Sequence, residues 1–284
     1  MAPRHGPTVR QRRFGAELRR MREAAGMTAP TAAGLLGTDR TVISNVEAGR
    51  FGISEERLRR LASIYACDDE ALITSLAAMT GGRPKGWWEE YRGKIPPGFL
   101  DVSELEDAAV RIRTVQTTHL PGLFHTEEHA RAIFELFTPP LHPLEVELRV
   151  AHRMARQSVV AGPRATPVTA VVHEAALRMQ LGGREAARTQ LDRLLESAAL
   201  PHVTVLVIPF AAGGFPLMGD SSVLYAEAQH PRLDTVHMDS PTGAVFVDSP
   251  TQLGHFRTRL DAAERKALTP EESTHFIHKV ARDL

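Results

Sequence analysis

Four side chains within one short stretch, Arg40, Thr41, Ser44 and Asn45, carry donors and acceptors that match the base edges of a DNA groove. Arginine offers two parallel N–H groups to guanine, asparagine pairs both ways with adenine, and the hydroxyls serve either partner. Positions three and four apart share one face of a helix, so these four form a single polar surface. Arginines surround them in sequence. Arg19, Arg20, Arg50, Arg57 and Arg60, together with the Thr28 hydroxyl, make a pool of candidate phosphate ligands. Such contacts position a protein on a duplex without reading its sequence. Arg4 and Arg10 extend the pool into the first ten residues.

Other chemistries have candidates too. The chain holds thirteen histidines, and His125-Thr126-Glu127-Glu128-His129 fits the H-x-x-E-H order of inverted zinc peptidases. His152 or the His173-Glu174 pair would be the third ligand. The local reading competes: Thr126 is a natural N-cap, and Glu127 and Glu128 suit the positive end of a helix. His125 then precedes the helix instead of lying on its face. A zinc-dependent hydrolase stays as the remote alternative, and no metal, cofactor or catalytic residue is assigned. Gly182-Gly183-Arg184 and Gly213-Gly214 lack the spacing and lysine of a phosphate loop, and G-x-S-x-G is absent. Ser221-Ser222 is explained as a loop entering a strand. A single cysteine, Cys67, rules out an internal disulfide and a multi-cysteine metal site. Arg111, Arg113, His119 and Glu174 lie beside breaks between elements and are the candidate polar contacts of an effector pocket near strand ends.

The base-reading face needs a scaffold. From Thr28 to Arg50 the pattern is two short helices about a glycine. Thr28 caps the first, with Pro30 in its opening turn, and Ala32, Ala33, Leu35 and Leu36 give its inner face. Gly37 permits the reversal, Asp39 caps the second helix, Val42, Ile43 and Val46 point inward, and Gly49 ends it. A helix from Gln11 to Ala25 precedes the pair, with Phe14, Leu18, Met21 and Ala25 on one stripe. A fourth, capped by Ser54, and a fifth, Glu70 to Met79, follow. Residues 11–80 thus read as an all-α domain, after a flexible arm at 1–10.

Charge divides in the same place. Residues 1–67 hold twelve arginines against six acids, leaving +6 there and −6 on the remainder of a neutral chain. A basic head on an acidic body is expected where only the head meets a polyanion. Gly81 to Gly86 reads as the linker. Beyond it, Trp87, Trp88 and Tyr91 form an aromatic clasp at the start of a second domain, 87–284. Helices are expected at Val102–Val115, from Thr126, and over Glu145–Val159. Strands then follow at Val168–Val172, Val203–Ile208, Ser222–Glu227, Thr235–Met238 and Ala244–Val247, with a helix from Arg184 to Ala199 between the first two. A strand–helix–strand order indicates a parallel crossover, so the second domain reads as α/β with a mixed sheet and flanking helices. Ser249-Pro250 and Thr269-Pro270 each begin a closing helix with a capping-box partner. The longest apolar run, Val203 to Ala212, is about half the ~20 residues of a membrane span. A reducing cytoplasm is the expected compartment.

The first domain resembles the Xre-type, lambda-repressor-like helix-turn-helix family, through "LRRMREAAGMT" (Leu18–Thr28) and "TVISNVEAGR" (Thr41–Arg50). In that family an arginine near the end of helix 1 pairs with the glutamate closing helix 3; the matching residues are Arg22 and Glu47. The family often has glutamine early in helix 2, where this chain has Ala29. The second half, through "GWWEEY", "HLPGLFHTEEHARAI", "RVAHRMARQSVV" and "TPEES", is similar to the C-terminal domain of antitoxin-like Xre-type regulators of actinobacteria. The resemblance implies regulation of transcription; because one helix-turn-helix reads only a few base pairs, a homodimer on double-stranded DNA is the expected form. The C-terminal domain would then mediate dimerisation and sense a small-molecule effector or a small protein encoded by a neighbouring gene. The alternative it leaves open is an antitoxin-like protein whose main role is neutralising that partner. No membrane association is expected.

Overall fold

The computed structural model describes residues 6–80, 86–240 and 243–284. Arg4, most of the 81–86 linker and the first half of the arm lie outside the described residues. The chain divides into two compact units at Gly86, but the segment Ala228–Asp234 groups with the first unit, which the linker-based boundary does not anticipate.

The first unit is five helices: α1 Val9–Ala24, α2 Ala29–Leu36, α3 Arg40–Glu47, α4 Glu55–Ile64 and α5 Glu70–Ala77. Helix α1 begins two residues before the expected start, because Thr8 and Gln11 form a reciprocal capping box. Arg10 is therefore helical, and its guanidinium donates to the carbonyls of Ala78 and Met79 at 2.9 and 3.3 Å. Phe14, Leu18, Met21, Ile43, Val46, Leu58, Leu61 and Leu72 fill one core. Leu233 joins that core from the Ala228–Asp234 segment. Arg13, 4 % exposed, donates to the carbonyls of Arg232 and Asp234, and Glu17, 1 % exposed, meets Arg232 at 2.5 Å. Helix α1 also comes unusually close to α3. A Cβ built on Gly15 would strike the carbonyl oxygens of Glu47 and, at 2.6 Å, Val46. Backbone cannot yield as a side-chain tip does. Gly15→Ala is expected to cost ~1–3 kcal/mol by overpacking, read as a lowered thermal midpoint; an unchanged midpoint would mean that α1 can slide.

The second unit opens with a 3-10 turn at Trp87–Tyr91 and helix α6 Pro97–Ala108. The expected helix over Val102–Val115 is corrected: it stops at Ala108, and β1 Arg111–Gln116 follows as a strand at the centre of the sheet. Ile112 and Val115 fit helical spacing by position, but β-branched residues at alternating places favour a strand. Helices α7 Glu127–Glu135, α8 Pro143–Ala155 and the short α9 Ser158–Ala161 lead into β2 Val168–His173. Next come α10 Glu174–Arg178, α11 Arg184–Ala198, β3 Val203–Ile208, β4 Ser222–Glu227, β5 Thr235–Ser240, β6 Gly243–Val247, α12 Pro250–Lys266 and α13 Pro270–Asp283. Of the two closing helices, Thr269 makes the full capping box with Glu272, whereas Ser249 makes no side-chain cap.

The sheet runs β3-β2-β1-β4-β5-β6. Strands β1, β2 and β3 are parallel, and the β1–β4, β4–β5 and β5–β6 pairs are antiparallel. On one face Ile112, Ala170, Val172, Val205 and Val207 pack with Leu191, Leu194, Ile277 and Val280 of α11 and α13. On the other, Val115, Val171, Val223, Tyr225 and Val236 pack with Leu253, Leu260 and Ala263 of α12. Burial on both faces explains why β2 and β3 read as continuous apolar runs.

Candidate nucleic-acid interface

Helix α3 is held by its neighbours so that one face is buried and one is free. Ile43 and Val46 are each 2 % exposed, while Arg40, Thr41 and Ser44 are exposed and Asn45 is half-buried. The turn before α3 is a Schellman closure of α2: Gly37 sits at φ +71°, its N–H bonds the Gly34 carbonyl, and the Thr38 N–H bonds that of Ala33. That conformation favours glycine and fixes the angle at which the chain enters α3. Asp39 stands at the N-cap but makes no side-chain cap bond, contrary to expectation. An acidic residue at this position still suits the positive end of α3.

The far end of α3 is tied to α1. Arg22 Nε donates to Glu47 Oε1 at 2.6 Å and Nη2 to Oε2 at 2.9 Å, a bidentate fork between side chains each 10 % exposed. The third arginine donor, Nη1, reaches the Met27 carbonyl at 2.7 Å. The hydrogen bond to Glu47 raises the Arg22 pKa above its ordinary value, so the guanidinium stays charged. One ion pair thus joins α1, the turn into α2, and the C-terminus of α3.

The candidate base readers fall together on α3. Among the described residues Arg40 has no carboxylate partner within 4 Å. Asn45 Oδ1 accepts a long 3.5 Å bond from Arg50 Nη1, placing those two groups side by side. The phosphate pool is less uniform. Arg50, Arg57 and Arg60 are exposed, with Arg60 Nη2 near the Leu35 carbonyl at 3.4 Å. Arg19 pairs with Glu23 at 2.7 Å, and Arg20 with Glu17 at 3.2 Å. The exposed Arg19–Glu23 pair is weak and exchangeable, whereas the partner of Arg20 is the buried Glu17. The Thr28 hydroxyl caps α2 through the Thr31 N–H and lies 2.8 Å from the Thr31 hydroxyl, so its donor is already shared locally.

The four residues expected to line an effector pocket do not converge. Arg111 starts β1 and lies 3.9 Å from Glu227. Arg113 is bound to Asp261 and Glu264 at 2.6 and 2.8 Å. Glu174 accepts from Arg178 and from the Phe210 N–H, at the opposite end of the parallel strands from Arg111. His119, half-buried, keeps a buried Nδ1 without a partner. A hollow of about 310 Å3 does lie at the C-terminal ends of β1 to β3, but Thr117, His173, Phe210, Phe215 and Met218 line it. His173 stacks on Phe215 with ring centroids 5.2 Å apart.

The H-x-x-E-H histidines have other work. His125 Nε2 donates to the Leu120 carbonyl at 2.9 Å, leaving Nδ1 to accept from Arg153 Nη1 at 3.1 Å. Both ring nitrogens being engaged, His125 has none to give a metal shared with His129. His152 bonds the Ser103 hydroxyl at 3.0 Å inside a ring of Trp87, Tyr91 and Phe99, and burial pushes its pKa down to about 3. The aromatic clasp therefore closes over a histidine. Among the described residues no three His, Cys, Asp or Glu side chains are grouped to hold a metal ion.

Two family models match the chain, over separate spans. The model of a helix-turn-helix domain matches residues 13–74. The model of a domain of unknown function (DUF5753) matches residues 99–279, well over half of the chain. No curated protein and no solved structure matches the chain.

Proposed function

Since the chain belongs to the DUF5753 family and joins that domain to a DNA-binding helix-turn-helix domain, we propose that it is a dimeric, sequence-specific transcriptional regulator. In this reading its second unit senses a small ligand. The observation that carries the reading is the state of α3: an exposed Arg40, Thr41 and Ser44 face on a helix whose far end is locked by Arg22 and Glu47. Arg40 reads a base, Asn45 and the hydroxyls refine the choice, and Arg50, Arg57 and Arg60 hold phosphates. A single helix of this size reads few base pairs, so useful affinity comes from two copies on half-sites about one helical turn apart. The second unit supplies apolar surface for pairing, since Leu136 and Leu144 are 65 % and 64 % exposed.

The experiment is binding to duplexes from its own promoter region across a salt series. Arg40→Ala is expected to cost ~1–3 kcal/mol and to relax specificity at one position. Arg57→Ala should weaken all sequences alike and reduce the salt slope by about one. Absence of binding at low salt would end the proposal.

A further inference from the structure

Helix α8 and its cap carry three arginines that differ in how their charge is met. Arg149 pairs with Glu145 at 2.5 Å. Arg156 makes a bidentate pair with Glu106, at 2.6 and 2.9 Å. Arg153 has no carboxylate within 4 Å among the described residues. Its Nη1 touches only the neutral ring of His125, its Nε is shielded from solvent with no partner, and its guanidinium lies 4.9 Å over the Phe134 ring. Burial and the neighbouring Arg156 pull its pKa down to about 9 against the more distant attraction of Asp239 and Glu106, which leaves it charged at neutral pH. A buried charge without a partner is costly, so a cationic group in this position wants an anion.

The surroundings repeat the imbalance. His129 is 2 % exposed and neither ring nitrogen has a partner. Its ring centroid is 4.7 Å from that of His125. His119 Nδ1 is likewise buried and unpartnered. A neutral imidazole offers one N–H and one lone pair, so His129 brings one unmet donor to the cluster beside that of Arg153 Nε. A Cβ added at Gly122 would sit 3.5 Å from both Arg153 Nη1 and Arg156 Nη1, so two guanidinium heads lie against one turn, with Glu106 bonded to Arg156 alone and the Asp239 carboxylate acting on both from beyond contact distance. His119 follows β1, placing the cluster beyond the C-terminal ends of the parallel strands, where ligands of open α/β sheets commonly bind.

We propose that Arg153, His119 and His129 form a binding site for a small anion bearing a carboxylate or phosphate group, the planar guanidinium taking two of its oxygens. This gives the sensing role proposed above a location and a ligand class, and it rests on that reading only for its effect on DNA. Orthophosphate and citrate are the two probes, titrated into the full chain against sodium chloride at constant ionic strength. Phosphate or citrate should saturably shift the ring resonances of His129, assigned through His129→Gln, and raise the thermal midpoint with the logarithm of its concentration. Arg153→Met should bind the same probe about tenfold or more weakly. Where Arg153→Met does not fold, His119→Phe takes its place with the same expectation. Unmoved His129 resonances with both probes, or a rise in thermal midpoint of equal size in the variant, would overturn the site. Operator affinity with and without bound probe reads the regulatory role separately. An unchanged affinity would overturn sensing and leave the anion site standing.

Discussion

Replacing Glu106 with glutamine is expected to destabilise the second unit by about 3–5 kcal/mol, the usual cost of removing one partner of a buried pair. Glu106 is wholly buried, and both its oxygens are held by Arg156. Glutamine keeps one acceptor and loses the charge. Arg156 would then stand uncompensated beside Arg153, which already has no carboxylate of its own. The like charges repel, so the penalty falls at the upper end of the range. Calorimetry of the full chain should show the transition of this unit lowered by roughly 6–20 °C. The double variant Glu106→Leu with Arg156→Met should recover much of the loss, because a well-packed apolar pair is often neutral or better. A Glu106→Gln midpoint close to that of the native protein would mean that water, not Glu106, balances the two arginines.

Removing Glu47 is the second large effect, and it acts on function. Glu47→Ala is expected to cost about 3 kcal/mol, the lower end for a buried pair, since a tenth of each partner still meets solvent. Arg22→Ala should cost more, because Arg22 also closes the end of α1 through the Met27 carbonyl. The two together should cost less than their sum by the coupling between them, of order 0.5–3 kcal/mol. Both variants should also bind operator more weakly while still folded, since the pair sets the C-terminal end of α3. Full affinity in a folded Glu47→Ala would show that core packing alone orients α3.

The helix pair and its exposed polar face are legible because short helices with a glycine between them leave a strong local mark: inward Ile43 and Val46, a turn at Gly37, and polar residues on the remaining arc. The pairing of Arg22 with Glu47 was reachable only through family resemblance, as the two are far apart in sequence and each is an ordinary surface type. The Ala228–Asp234 segment of the first unit is harder to foresee. Arg13 and Glu17 look like an exposed helix face, yet both are buried by Arg232 and Leu233, more than two hundred residues on. Strand β1 was read as helix because Ile112 and Val115 satisfy either period, and only its place at the centre of the sheet decides. The effector residues failed for a related reason. Arg113 is conspicuous in sequence and is spent on Asp261 and Glu264, whereas Arg153, inconspicuous on a helix, loses its carboxylate only through the packing around it. Charge that matters is charge left over after folding, and sequence does not show the subtraction.

The most direct test is selection of duplexes from a random pool by the native protein. Reading by α3 in a two-fold dimer predicts an enriched palindrome whose half-sites lie about 10–10.5 base pairs apart, centre to centre, with Arg40→Ala relaxing the same position in each half. Binding that enriches no sequence, or a motif untouched by Arg40→Ala, would contradict the account.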